Sequence, residues 1–183
     1  SVHVDFEGTG PQMKGFKNSS AANTQSAVYM AIKSFFDAPL PHNEGVFRPI
    51  SIAMPLGSAV NPRSPAPTSN GTIVIAQHII HAVWQALGQA DPDLACAGWG
   101  RSVHPTMSGH TPETDHRYIV FHFQTMPGGG ALKGRDGFAS VGHLSALGGL
   151  TIPNIEPYEQ LYPITFERQE LRCDAGGPGE YRG

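Results

Sequence analysis

Thr24-Gln25-Ser26-Ala27-Val28-Tyr29-Met30-Ala31-Ile32-Lys33-Ser34-Phe35-Phe36 is the run on which the fold class turns. Its apolar residues Ala27, Val28, Ala31, Ile32, Phe35 and Phe36 fall on one stripe of a helix with 3.6 residues per turn. Asn23 or Thr24 can cap its start, because either side-chain oxygen can accept from a free backbone N–H of the first turn. Asp37-Ala38-Pro39 stops it, since the proline ring removes a donor and clashes with the preceding turn. Downstream, Thr72 to Leu87 repeats the pattern, with Val74, Ile75, His78, Ile79, Val83 and Leu87 on the expected buried side and Gly88 near the end.

Around these two helices the strand signals are short. Val2-His3-Val4-Asp5-Phe6 alternates apolar and polar residues, as a half-buried strand does. Ile50 to Met54 forms a second strand inside a proline-studded stretch that runs from Pro39 to Asn70. Tyr118 to Thr125 is dense in aromatic and β-branched residues on both alternating faces and reads as a buried strand. Ile164, Phe166 and Arg168 alternate with Thr165, Glu167 and Gln169, giving a last strand toward Leu171. Residues 91 to 117 show no clear period. Gly128-Gly129-Gly130 and Gly134-Arg135-Asp136-Gly137 mark a sharply turning loop. With no regular βαβ alternation, the expectation is α+β: a mixed sheet, two main helices and long Pro/Gly-rich loops.

Composition bounds the function classes. At 183 residues the chain is the size of one domain, so one compact unit is the default. Its net charge is −3, and no Lys/Arg cluster interleaved with aromatics stands out, which argues against nucleic acid as a partner. Cys96 and Cys173 belong to no CxxC or Cys/His ladder and read as ordinary thiols of a reducing compartment. No leader pattern and no bilayer-length apolar run is present, so a soluble cytoplasmic protein without a membrane partner is expected.

Several residues carry chemistry that the spacing leaves open. Glu44 and Arg48 share a proline-bounded loop, where an acid and a guanidinium can orient an anion or accept a proton. The alternative is an Arg–carboxylate pair that pins the loop, and it is the better supported of the two. Arg63 can meet a phosphate or carboxylate bidentately, against a plain loop-anchoring role. His78 and His81 lie three apart on the second helix without an acidic third ligand, and His104, His110 and His116 lie in the irregular region without a ligand motif. All five read more readily as structural or solvated histidines, as do His122 in its strand and His143 after the glycine loop. No metal site is assigned. The Gly128–Gly130 run has neither Walker spacing nor a strand-GxGxxG-helix context, so a tight turn that lets another stretch of chain approach outweighs a phosphate cradle.

The loops carry a resemblance. Asp5-Phe6-Glu7-Gly8-Thr9 with Pro11-Gln12, Asn43-Glu44-Gly45-Val46-Phe47-Arg48-Pro49-Ile50, Asn61-Pro62-Arg63, Gly134-Arg135-Asp136-Gly137, Tyr162-Pro163, Arg168-Gln169-Glu170-Leu171-Arg172 and Gly176-Gly177-Pro178-Gly179-Glu180-Tyr181-Arg182-Gly183 follow one another across nearly the whole chain. In that order they resemble the middle of the B-type subunit of the hydantoinase, 5-oxoprolinase and acetone/acetophenone carboxylase family. The resemblance implies that residues 1–183 are one segment of a larger subunit, both ends truncated. It also implies hetero-oligomeric assembly with an A-type subunit that binds ATP and Mg, and any metal of the B-type subunit outside this segment. The substrates implied are lactams or hydantoins for ring opening, or ketones for carboxylation. Glu44, Arg48 and Arg63 are the catalytic candidates, and a non-catalytic assembly role is the rival. Gly148-Gly149-Leu150 with Ile152-Pro153-Asn154-Ile155-Glu156 and Tyr158-Glu159 departs from the oxoprolinase string, which tilts the reading toward hydantoinases and aromatic-ketone carboxylases.

Overall fold

The computed structural model describes residues 1–36, 39–101, 104–121, 126–144 and 152–183. Where composition set one compact unit as the default, the chain divides into two. The first comprises Ser1–Gly98 with Leu132–Arg135, and the second Trp99–Ala131 with Asp136–Gly183. Each gathers apolar residues of its own, which is the physical reason for the division.

The first unit is built on a crossover. Strand β1 (Val2–Asp5) leads through helix α1 (Ala21–Phe36) and the short helix α2 (Glu44–Phe47) to β2 (Ile50–Ala53). β1 and β2 pair in parallel, with Val2 opposite Ile50 and Val4 opposite Ile52 on a half-buried face. The other face carries His3 and Ser51, joined Nδ1 to Oγ at 2.8 Å. Helix α1 starts earlier than its apolar pattern, because the Ser20 hydroxyl, rather than Asn23 or Thr24, accepts from the Asn23 backbone N–H at 3.2 Å. Asp37 and Ala38 of the expected stop lie outside the described residues.

The second long helix opens with a π-helical turn (Gly71–Ile75) and continues as α3 (Ala76–Ala90). The wider turn shifts which side chains face inward. Ile79, Ile80, Val83 and Trp84 are buried, whereas His78, expected inside, is exposed, and Val74, Ile75 and Leu87 are only half-buried. α3 packs on α1, where Ala27 and Ala31 are small enough for close approach. The Trp84 indole donates to the Ala31 carbonyl at 3.0 Å, which meets the polar need of a buried indole. Ile80 is 1% exposed, and its burial contributes on the order of 2–3 kcal/mol. A 3-10 turn (Pro92–Leu94) follows, capped by the Asp91 carboxylate.

The second unit holds an antiparallel hairpin, β3 (Thr106–His110) and β4 (Arg117–Phe121), and a short helix α4 (Glu156–Leu161). β3 lies in the stretch without a readable period. In place of one mixed sheet, the described residues form two separate two-stranded sheets. Alternation marks a strand but does not name its partner. Within β4 only Val120 is fully buried and Ile119 is 59% exposed, so this is a one-sided strand. Its expected continuation through residues 122–125 lies outside the described residues. The last expected strand is not one: Ile164 and Phe166 turn inward and their neighbours outward, yet no ladder forms there among the described residues. The Phe166 N–H donates instead to the Glu159 carboxylate at 2.7 Å.

Candidate functional site

The loops that leave the carboxyl ends of β1 and β2 are laced together. The Ala59 N–H donates to the Gly10 carbonyl at 3.0 Å, Gln12 N–H to Gly57 at 2.8 Å and Ser19 N–H to Ala59 at 2.8 Å. Asn18 closes the lacing from inside. Fully buried, it donates through Nδ2 to the carbonyls of Met13 (2.9 Å), Gly15 (3.1 Å) and Pro67 (2.9 Å), and its Oδ1 accepts from the Met13 N–H at 2.8 Å. A second buried group sits beside it: Ser19 Oγ receives Asn23 Nδ2 at 2.7 Å, and Thr24 Oγ1 lies 2.9 Å from Ser19 Oγ and 2.7 Å from the Val60 carbonyl. Gly71 has no room for a side chain, since a Cβ would sit 2.8 Å from the Asn18 carbonyl oxygen. Polar groups this well satisfied hold loop backbone without a ladder.

On this frame stands Arg63. Its backbone N–H donates to Gln12 Oε1 at 2.7 Å, and Asn61 before it is tied to Met54 through Nδ2 at 3.0 Å. Its Nε lies 3.4 Å from where a Gly57 side chain would begin, at a glycine with φ of +90°. The guanidinium is exposed and has no acidic partner within ion-pair distance among the described residues. Glu44 and Arg48 lie elsewhere. They bracket α2, before the amino end of β2, and Arg63 follows its carboxyl end, so a four-residue strand of about 13 Å intervenes. The Arg48 N–H caps the Glu44 carbonyl at 2.8 Å, but among the described residues the two side chains form no ion pair. Three candidates that sequence grouped as one set thus occupy two places. Gln12 and Asn18 went unremarked as positioning groups; the only sequence signal was that Gln12 belongs to a recognised loop string.

In the second unit the glycine strings meet backbone to backbone. Gly129 N–H donates to Phe138 O at 2.7 Å, Gly100 N–H to Gly128 O at 2.9 Å, and Gly137 N–H to Arg182 O at 2.7 Å. A Cβ on Gly137 would overlap the Gly129 carbonyl oxygen, and the Trp99 ring covers Gly129. These amide donors are committed to carbonyls of the chain, so the glycine run fits a packing role better than an anion cradle. Trp99 Nε1 donates to Gly142 O at 2.8 Å. Next to it the buried His143 packs against His104 with the rings tilted, centroids 4.5 Å apart, and His104 also meets Phe121 at 5.5 Å, again tilted. Burial lowers the His143 pKa below its ordinary value of 6.5. His110 and His116 lie exposed on the β3–β4 hairpin, His81 sits near Trp84 on α3, and His122 is outside the described residues. Among the described residues no three His, Cys, Asp or Glu side chains gather as a metal-ligating group. Among the described residues no helix is long and apolar enough to cross a membrane.

A parallel crossover with laced loops and a second unit of interlocked glycine strings matches one family throughout. Residues 1–183 match the Hydantoinase B/oxoprolinase family model, and the chain belongs to that family. It is 36% identical to the caprolactamase subunit beta of Pseudomonas jessenii over 185 residues, covering 100% of this chain and 32% of that protein. The crystal structure of ATP-dependent caprolactamase from Pseudomonas jessenii aligns with a TM-score of 0.79 at 35% identity, covering 99% of this chain and 32% of that one. A nucleotide-free structure of acetone carboxylase shares the fold at a TM-score of 0.77 and 19% identity, covering 99% of this chain and 24% of that one. The chain therefore spans about a third of the length of the caprolactamase subunit it matches.

Proposed function

We propose that the chain is part of the B-type subunit of a cytoplasmic, ATP-dependent cyclic amide hydrolase that works with an ATP-binding A-type subunit. The observation that carries this reading is the 36% identity to the caprolactamase beta subunit along the entire chain. The carboxylase shares the fold at 19% identity, which supports architecture and not chemistry, so ketone carboxylation stands second. Nucleotide and Mg belong to the partner in this reading, and any metal lies in the part of the subunit beyond these residues. Opening a lactam or hydantoin ring requires a stabilised oxyanion and exclusion of stray water, tasks for which fixed loops are suited. Arg63, on its pinned loop, is the candidate for meeting an anionic group, with Glu44 and Arg48 serving the other end of β2. The separation of Arg63 from Glu44 and Arg48 favours a second reading, in which this segment is an assembly domain.

Turnover by the complete complex tests both. ATP-dependent ring opening without bicarbonate is the expected result, and bicarbonate-dependent consumption of a ketone would replace hydrolysis by carboxylation. Substituting Glu44, Arg48 and Arg63 in that complex is expected to lower turnover with assembly intact; intact turnover with weakened association would favour the assembly reading.

A further inference from the structure

β1 and β2 run parallel, so their carboxyl ends share one edge, the edge at which open α/β sheets hold their ligands. Arg63 stands on a loop at this edge. Pro62 and Pro65 restrict the backbone on either side of it, and its carbonyl accepts from the Ala66 N–H at 3.1 Å. Its own N–H is held from the other loop, by Gln12 Oε1 at 2.7 Å, and the Gln12 N–H donates to the Gly57 carbonyl at 2.8 Å. Gly57 is also the residue that Arg63 Nε approaches, 3.4 Å from where a side chain would begin. Gln12, Gly57 and Arg63 thus form one node, which fixes the arginine's backbone and runs its side chain past Gly57.

The acceptor at this node is neutral. Glutamine offers Arg63 a carbonyl oxygen and no charge. A glutamate could accept the same N–H, and more strongly, but its carboxylate would stand at the same node as the guanidinium and pair with it. Residues 10–20 and 54–70 contain no Asp or Glu, so neither laced stretch brings a carboxylate of its own to Arg63. The node holds a cation without neutralising it, as recognition of an anion requires.

We infer that Gln12 is a positioning residue for Arg63: its neutral tether sets the arginine at the carboxyl edge of β1 and β2 and leaves the guanidinium charge for the anionic group that Arg63 meets. This rests on the ring-opening function proposed above and on Arg63 as its anion contact.

Steady-state kinetics of the full-length subunit assembled with its A-type partner test this, with the lactam or hydantoin that the wild-type complex opens fastest. Gln12→Ala is expected to lower kcat/KM about tenfold. Gln12→Glu keeps the tether, so thermal unfolding of the free subunit is expected to be unchanged, yet kcat/KM is expected to fall about tenfold or more as the new carboxylate engages the guanidinium. In an Arg63→Ala background neither change is expected to lower kcat/KM by more than about twofold, since both act through that one side chain. Wild-type kcat/KM in Gln12→Glu would reduce Gln12 to a loop anchor, and losses that multiply in the double variants would make it act independently of Arg63. Either result overturns the inference and leaves the hydrolase reading standing. Normal turnover by Arg63→Ala would remove the inference together with its arginine, with ring opening again intact. If the wild-type complex opens no cyclic amide, inference and hydrolase reading fall together.

Discussion

The carboxylate of Asp136 accepts a hydrogen bond from the Arg182 backbone N–H at 2.7 Å, while the Gly137 N–H next door donates to the Arg182 carbonyl at 2.7 Å. Two loop strings far apart in sequence are thereby clasped on both sides of one residue. The Arg182 guanidinium adds an exposed pair with Asp174 at 2.7 Å, which solvent screening leaves with little weight. Removing the carboxylate with Asp136→Ala should lower stability by about 1 kcal/mol, read as a shift of the urea midpoint. Hydrogen exchange should accelerate at the Arg182 amide first; unchanged protection there would show that the clasp holds nothing in solution.

Gly137→Ala tests the same layer more severely. The new methyl would overlap the Gly129 carbonyl oxygen, and that oxygen belongs to backbone with little freedom to retreat. A loss of about 1–3 kcal/mol is expected, in the range of overpacked cores. Native-like resistance to trypsin in this variant would contradict the backbone stacking.

Asn18 separates shape from hydrogen bonding. Asn18→Asp keeps the volume but aims a carboxylate at the carbonyls of Met13, Gly15 and Pro67, which now receive Nδ2 donors. It should cost more than about 3 kcal/mol, at least as much as Asn18→Ala, because buried acceptors would face an unpaired charge. Thermal unfolding of the two variants ranks them, and a stable Asp variant would reverse the assigned amide orientation.

The inward face of α3 is open to a paired comparison. Ile80→Ala should cost about 3 kcal/mol and His78→Ala less than about 0.5 kcal/mol, since one side chain is buried and the other exposed. Equal losses in chemical denaturation would restore the face that apolar spacing alone selects.

His143 makes stability depend on pH with a definite sign. Burial favours its neutral form, so its folded value lies below 6.5, and the unfolded chain takes the proton first as the pH falls. The contribution is complete above the ordinary value and is lost as the pH drops from there through the lowered one. His143→Gln should flatten the difference between urea midpoints at about pH 7.5 and about pH 5. An undiminished difference in that variant would place the titration elsewhere.

Much of this was legible in residue order. The stripe from Ala27 to Phe35 specified α1, and the alternation of Val2 and Val4 with His3 and Asp5 specified β1, because local backbone geometry imposes the period directly. The face of α3 was misread because a π-helical turn at Gly71–Ile75 shifts its phase. The strand expected near Ile164 kept its alternation and lacked a partner among the described residues. The lacing of the loops after β1 and β2 escaped notice because the residues that make it are far apart in sequence, Gln12 and Arg63 by 51 positions.

Sequence by itself determined the two long helices, the β1, β2 and β4 segments, the loop strings and the family they belong to, all properties of neighbouring residues or of their order. Tertiary structure decided the rest: that the chain forms two units, that Arg63 stands apart from Glu44 and Arg48, that Asn18 laces the first unit's loops and that Asp136 clasps Arg182. The physical reason is that hydrogen bonds and burial reward proximity in space, and a turn or a missing Cβ can create that proximity without leaving a periodic trace in the chain.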